Sequence, residues 1–243
     1  MMNNTIIIDP GHGGKDPGGG SNEYWLEKEM VLKISEYQYK RFKELGFNVK
    51  MTRAEDVYLG ASQRTKIVKE SGAKYCISNH INAGGGEGAE TIYSIHGDGK
   101  LAKAILAELI NVGQKKRRAF SKTLSNSANL DYYFMHRQTG FVETVIVEYG
   151  FADNQEDTKR ILSDWEKYAE SVIKAVCSHM GHTYDKIVKE DNHDRWKYEG
   201  IKYLYEKGVL NDLEGWKEKI NEPMPVWAVT LMLKEIYNQL RGD

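Results

Sequence analysis

The sequence predicts an α/β protein: a twisted, mainly parallel sheet flanked by helices, with a small C-terminal helical domain appended. Three features carry this expectation. Between residues 4 and 180, short apolar, β-branched runs alternate with longer stretches of helical period, the pattern of parallel strands joined by crossover helices. Polar clusters bearing histidine, glycine or glutamate follow three of the strand-like runs, where an open α/β sheet binds its ligands. Beyond Gly181 the strand signals stop and only helical period remains.

The elements follow in order. A first strand over 5–9 (TIIID) leads into a helix over 23–45, which brings Leu26, Met30, Ile34, Tyr37 and Phe42 near one face and ends at Gly46, a residue suited to helix C-caps. A strand over 48–52 precedes a shorter helix over 62–71. Strands over 75–78 and 90–94, a helix over 101–111, a strand over 143–148 and a helix over 165–180 complete the first domain, 1–180. The polar, aperiodic stretch HTYDKIVKEDNHDR makes 181–194 a linker. In the last unit, 195–243, helices over 196–208 and 226–240 enclose a loop with Asn211, Asp212, Gly215, Pro223 and Pro225, and Trp196, Trp216 and Trp227 are expected to form its small core.

Composition excludes several classes. With 40% hydrophobic and 28% charged residues and only 4 prolines, the chain is not of a disordered or collagen-like type. Its 34 basic and 35 acidic side chains nearly cancel, so no overall field recruits nucleic acid or anionic lipid. The local run Lys115, Lys116, Arg117, Arg118 lacks interleaved aromatics and reads as a solvated helix end or loop, so no nucleic-acid partner is expected. Cys76 and Cys177 lie far apart in apolar surroundings and read as buried thiols. The start MMNNTIII has neither the basic region nor the apolar length of a signal peptide, and no window suits membrane insertion, so cytoplasmic synthesis is expected.

The chemistry resides in the polar clusters: Gly11-His12-Gly13-Gly14, Asn79-His80-Ile81-Asn82 and Glu148-Tyr149-Gly150-Phe151. Placed at strand ends, His12, His80 and Glu148 should converge on one crevice. A phosphate loop is excluded, because Asp16 stands where either glycine-rich nucleotide motif needs another residue. Two histidines and a carboxylate instead make a catalytic zinc set with one position left open. Glu27, Glu29, Asp9, Asp16 and Glu148 all qualify as the carboxylate. A ligand early in the first helix needs no long reach, which favours Glu27 or Glu29 and leaves Glu148 to move protons. His179 and His182 read as solvated, while His96 and His136 stay open as further site residues.

Taken together, IIIDPGHGGKDPG at 6–18, the Glu-Lys-Glu step at 27–29, MTRAEDVYL at 51–59, Arg64, ISNHINA at 77–83, GAETIY at 88–93 and VEYGFADNQED at 147–157 resemble the zinc-dependent N-acetylmuramoyl-L-alanine amidases of autolysins and phage endolysins. The resemblance implies that His12, Glu27 and His80 bind Zn2+, choosing Glu27 over Glu29, and that Glu148 is the catalytic carboxylate. Asn82, Arg64 and Glu90 are weaker candidates for binding or orienting substrate. Asn79, Ile81 and Trp25 depart from the family pattern. The implied partner is peptidoglycan, reached after a holin-type lesion or cell lysis. The tail resembles small helical wall-binding units, and a single copy points to self-association through it. Two other readings of the same residues are a zinc peptidase acting on the stem peptide and a non-catalytic wall-binding module.

Overall fold

The computed structural model describes residues 4–184, 195–219 and 226–241, and the chain divides into two compact units, Met1–Asp185 and Lys186–Asp243. Residues 185–194 of the expected linker, and Pro223 and Pro225, lie outside the described residues. In the first unit, β1 (Thr5–Pro10), α1 (Glu27–Glu44), β2 (Asn48–Met51), α2 (Ala61–Lys69), β3 (Tyr75–Asn82), β4 (Ala89–Ile92), α3 (Lys100–Asn111), β5 (Lys116–Phe120), β6 (Thr123–Leu124), β7 (Ser127–Asp131), α4 (Phe134–Arg137), β8 (Glu143–Phe151) and α5 (Gln155–Met180) follow one another. Six strands form one sheet in the order β2-β1-β3-β8-β4-β5, while β6 and β7 make a separate hairpin. The β4–β8 pairing is antiparallel and every other pairing in the large sheet is parallel, so the mainly parallel α/β fold is as expected.

Alternation along the strands sorts side chains onto two faces. Ile6, Ile8, Tyr75, Ile77, Val145, Val147 and Tyr149 face the larger core, closed by α1, α3 and α5. On α3, Leu101, Ile105 and Leu109 are fully buried at helical spacing, each contributing about 1.5–3 kcal/mol. Ile7, Cys76, Ile92 and Ile146 face the smaller core, covered by Val68 of α2 and Met135 of α4. Both cysteines are free and buried.

Asn79 points into the larger core. Its amide donates to Ser35 Oγ and Gln38 Oε1, each at 2.8 Å, and its oxygen accepts from the Tyr149 hydroxyl at 2.9 Å. This closed polar knot fixes α1 against β3 and β8 and satisfies every polar group it buries.

Several boundaries differ from the sequence expectation. Helix α1 begins at Glu27 rather than at 23, because Asn22 Oδ1 accepts from the amides of Tyr24 and Trp25 and holds a turn there. Helix α5 starts at 155 rather than 165, capped by Asn154, whose side chain accepts from Glu156 and Asp157. His80 lies on its strand rather than past it, and the strand bearing Glu148 runs on to Phe151 instead of ending there, since the β3–β8 ladder continues through both. The run Lys115–Arg118 is neither helix end nor loop: residues 116–120 form β5, paired with β4. Strands β6 and β7 and helix α4 were not foreseen. His182 stacks on Phe47 and His179 packs on Tyr75, so neither is simply solvated.

In the second unit, α6 (Arg195–Glu206), α7 (Leu213–Glu218) and α8 (Val226–Arg241) are helical, α7 being capped by Asp212. Leu210 is buried and Trp216 half-buried, but Trp227 is 67% exposed and is not a core residue. The side chain of Trp196 lies outside the described residues. Among the described residues no helix is long and apolar enough to cross a membrane.

Candidate active site

The sequence clusters meet at the C-terminal ends of β1, β3 and β8. After β1 the chain turns at His12, which has the left-handed φ of 56° that a non-glycine residue adopts only under constraint. Arg64 on α2 supplies the constraint: its guanidinium donates to the carbonyl of His12 at 2.6 Å, to Pro10 O at 2.7 Å and to Asp9 Oδ1 at 2.6 Å. Asp9 also accepts from Thr52 and Ser78, and Arg64 holds its carboxyl below the usual range against the cost of burial. Asp9 is therefore engaged beneath the loop. We expect Arg64→Ala to leave this buried carboxylate unpaired and to cost about 3–5 kcal/mol in urea unfolding; a loss below about 1 kcal/mol would show that the pair does not anchor the loop.

Glu27 stands in the first turn of α1 and is 2% exposed. Its Oε1 lies 3.1 Å from His12 Nε2 and 3.1 Å from His80 Nδ1 and accepts from the Ile81 amide at 3.0 Å, while Oε2 accepts from Gly20 N at 2.8 Å. The loops approach too closely for side chains: a Cβ at Gly11 would sit 2.2 Å from the His80 ring, and one at Gly20 would sit 2.0 Å from Ile81 O. Asp16 Oδ2 takes the other nitrogen of His12 at 2.9 Å, orienting the ring so that Nε2 faces Glu27. Glu29, by contrast, is exposed.

Ligand atoms of His12, Glu27 and His80 all lie within 4.8 Å of one another. Two imidazole nitrogens and a carboxylate oxygen, with an oriented histidine and a carboxylate anchored by two backbone amides, can hold a divalent ion of zinc type. His96 and His136 are not in this group.

The triplet opens into a cleft of about 360 Å³ lined by His12, Tyr58, His80, Tyr133, Met135 and Glu148 among others. Glu148 is the register partner of His80 on β3 and of Glu90 on β4. Among the described residues its Oε2 is buried without a hydrogen-bond partner. Desolvation raises its carboxyl to about 7; Glu27 and Glu90 add to the rise, and His80 and His12 oppose it. Of the weaker candidates, Arg64 is committed to the His12 loop, and Asn82 donates to Glu90 Oε2 at 3.0 Å. Glu90 also accepts from Arg117 and Arg118, two residues that the sequence reading set aside.

Over residues 6–178 the chain matches the family model Amidase_3, described as N-acetylmuramoyl-L-alanine amidase. The chain belongs to that family. It is 30% identical over 163 residues to the probable cell wall amidase LytH of Staphylococcus aureus, covering 66% of this chain and 52% of LytH, so it spans about half the length of that relative. It is 28% identical over 188 residues to the uncharacterized protein YqiI of Bacillus subtilis, covering 75% of this chain and 85% of YqiI. The crystal structure of an N-acetylmuramoyl-L-alanine amidase from Clostridium difficile 630 superposes with a TM-score of 0.64 at 25% identity, covering 73% of this chain and 96% of that one.

The charges of this cluster make the stability of the metal-free chain depend on pH. Burial lowers the basicity of His80, but its hydrogen bond and attraction to Glu27 outweigh this and raise it to about 9 from 6.5. A histidine raised in the folded state stabilises fully below its unfolded value and loses that contribution as pH rises through the folded one. Glu148, also raised, costs stability progressively from its unfolded value up to about pH 7 and adds no further slope above it. His80 therefore sets the slope above neutrality, and the melting temperature in chelator is expected to fall between pH 6.5 and 9. A flat profile would refute the pairing of His80 with Glu27.

Proposed function

We propose that the chain is a zinc amidase that hydrolyses the amide between the lactyl group of N-acetylmuramic acid and the first L-alanine of the peptidoglycan stem peptide. The observation that carries the reading is the placement of Glu148 beside His80 at the cleft formed by the His12–Glu27–His80 triplet. Zinc bound by these three residues supplies a Lewis acid that acidifies water and polarises the scissile carbonyl. Glu148 takes a proton from the attacking water and returns it to the leaving amine, and a carboxyl poised near neutrality can do both. Asp16 keeps His12 oriented, and Arg64 keeps its loop in place.

We further propose that the C-terminal unit, with Trp227 and Tyr237 exposed on α8, holds the enzyme on the wall or pairs it with a second copy. Delivery as a phage-type endolysin is the narrower part of the reading; it requires that cytoplasmic expression be harmless until a co-expressed holin opens the membrane.

The test is mass spectrometry of purified peptidoglycan digested with the native chain, the chelated chain with and without added zinc, and a chain ending at residue 184. Free stem peptides beginning at L-alanine, lost on chelation and restored by zinc, are expected. The shortened chain should cleave soluble muramoyl peptides and bind sedimented walls less. New termini inside the stem peptide would replace this reading with a peptidase, and no release from any wall type would favour a binding module.

A further inference from the structure

Cross-strand register places four charged residues in one row on one face of the sheet: His80 beside Glu148, Glu148 beside Glu90, and Glu90 beside Arg118. Residues paired in register share a face, and neighbouring strands lie about 4.8 Å apart. Arg118 is two strands from Glu148, hence about 10 Å away along the row, which is the length of about two to three extended residues. His80 and Glu148, at one end of the row, line the cleft, so the row leads from the cleft toward β5.

Glu90 is buried, and its Oε1 accepts from Arg117 Nε at 2.6 Å and Arg118 Nε at 2.8 Å. One guanidinium would neutralise it; two leave a net positive charge. Both arginines use only Nε on Glu90, their side chains are 39% and 55% exposed, and each is steadied over a ring, Arg117 over Phe151 and Arg118 over Phe120. Among the described residues their terminal nitrogens have no hydrogen-bond partner. A stacked, anchored guanidinium with its outer edge open is a preorganised fork for a carboxylate.

We propose that Arg117 and Arg118 form the leaving-peptide subsite of the cleft and bind a carboxylate carried two residues beyond the scissile amide. The proposal rests on the amidase reading, and it orients the substrate: the peptide runs from Glu148 over β4 toward the β5 edge, and the sugar lies on the Tyr58 side. It names the preferred substrate class as stem peptides with a free α-carboxylate on the second residue, as opposed to peptides amidated there.

The experiment compares two soluble muramoyl tripeptides, one with the second-residue carboxylate free and one with it amidated. A charge-assisted hydrogen bond supports an expected preference of about tenfold or more in kcat/KM, carried by KM, for the free acid. In R118Q and in the R117Q/R118Q double variant the ratio should fall to within about twofold of unity, with R118K intermediate. The amidated substrate is the internal control, because damage relayed through Glu90 to Glu148 slows both substrates alike and leaves the ratio intact. Turnover without acid preference in the native enzyme, or a preference that survives the double change, overturns the proposal. Calorimetric binding of the released peptide in both forms is measured alongside. If neither substrate is cleaved but the free acid still binds more tightly in an arginine-dependent way, the amidase reading fails and the subsite stands; equal binding of the two forms sinks both.

Discussion

Glu148→Gln is expected to lower kcat by about 10²–10⁴-fold, the usual worth of a positioned proton-transfer group, while zinc content stays that of the native chain. Glutamine keeps the shape and removes the charge. Because Glu148 Oε2 has no hydrogen-bond partner among the described residues, the change breaks no bond recorded there. It also removes a carboxylate that burial and the nearby Glu27 and Glu90 make reluctant to ionise. A carboxyl raised in the folded state costs stability only above its unfolded value, and fully above its folded one. The variant should therefore melt at or above the native temperature at pH 8 and match it at pH 4. A residue of merely structural importance would lose stability and activity together. The native enzyme should show an acid limb in kcat/KM from this group, displaced below pH 7 by the positive charge of a bound ion, and the variant should lack it. Retention of more than about a tenth of the native kcat would remove Glu148 from the proton-transfer role.

Legibility of the fold followed the locality of its causes. β1 and β3 announce themselves because TIII and YCI are apolar, β-branched or aromatic, and each is buried between helices on both faces. β5 does not, because KRRAF resembles a solvated charge run. Its strand character depends on Glu90, which is far away in sequence and receives both arginines across the ladder. A basic edge strand is physically sensible, since charge on an edge discourages pairing with another chain. The early start of α5 carried a readable signal, an Asn cap at 154 followed by acidic Glu156 and Asp157. Trp227 was misplaced because a tryptophan near the end of a chain suggests a core, and only three-dimensional packing tells which helix face is covered.

In the site, His12 and His80 were legible from residue type and position. The sequence alone could not separate Glu27 from Glu29, since the choice depends on the residue at which α1 begins. That start is set by Asn22 and by Ser21 Oγ, which accepts from the Glu27 amide at 2.9 Å; together they turn Glu27 inward and leave Glu29 exposed. The family resemblance had pointed to the same residue. Asn79 looked like a departure of uncertain meaning, and its partners Ser35, Gln38 and Tyr149 lie on elements that only the fold brings together.

Glu27→Gln should abolish stoichiometric zinc binding and reduce kcat/KM by about three orders of magnitude or more, because it removes the one carboxylate of the proposed ligand set and with it the proposed zinc chemistry. Glu27 is held below the usual carboxylate range: burial opposes ionisation, but hydrogen bonds and charge from His12 and His80 overcome it. An amide at this position cannot keep the arrangement. If its oxygen accepts from Gly20 N, as Oε2 does, its NH2 group meets the Ile81 amide donor and stands where His12 Nε2 and His80 Nδ1 now face a carboxylate oxygen. Metal content by mass spectrometry and the melting temperature with and without zinc separate loss of the site from loss of the fold. A ligand present at about a thousand times its dissociation constant stabilises by about 4 kcal/mol, so the native chain should melt higher with zinc. The variant should fold, melt below the chelated native protein because the pairing with His80 and the acceptor for the Ile81 amide are lost, and show no zinc-dependent rise. Glu29→Gln, on the exposed side of the same helix turn, should behave as the native chain in every assay. If Glu27→Gln retained full zinc while Glu29→Gln lost it, the ligand set would have to be reassigned along the first turn of α1.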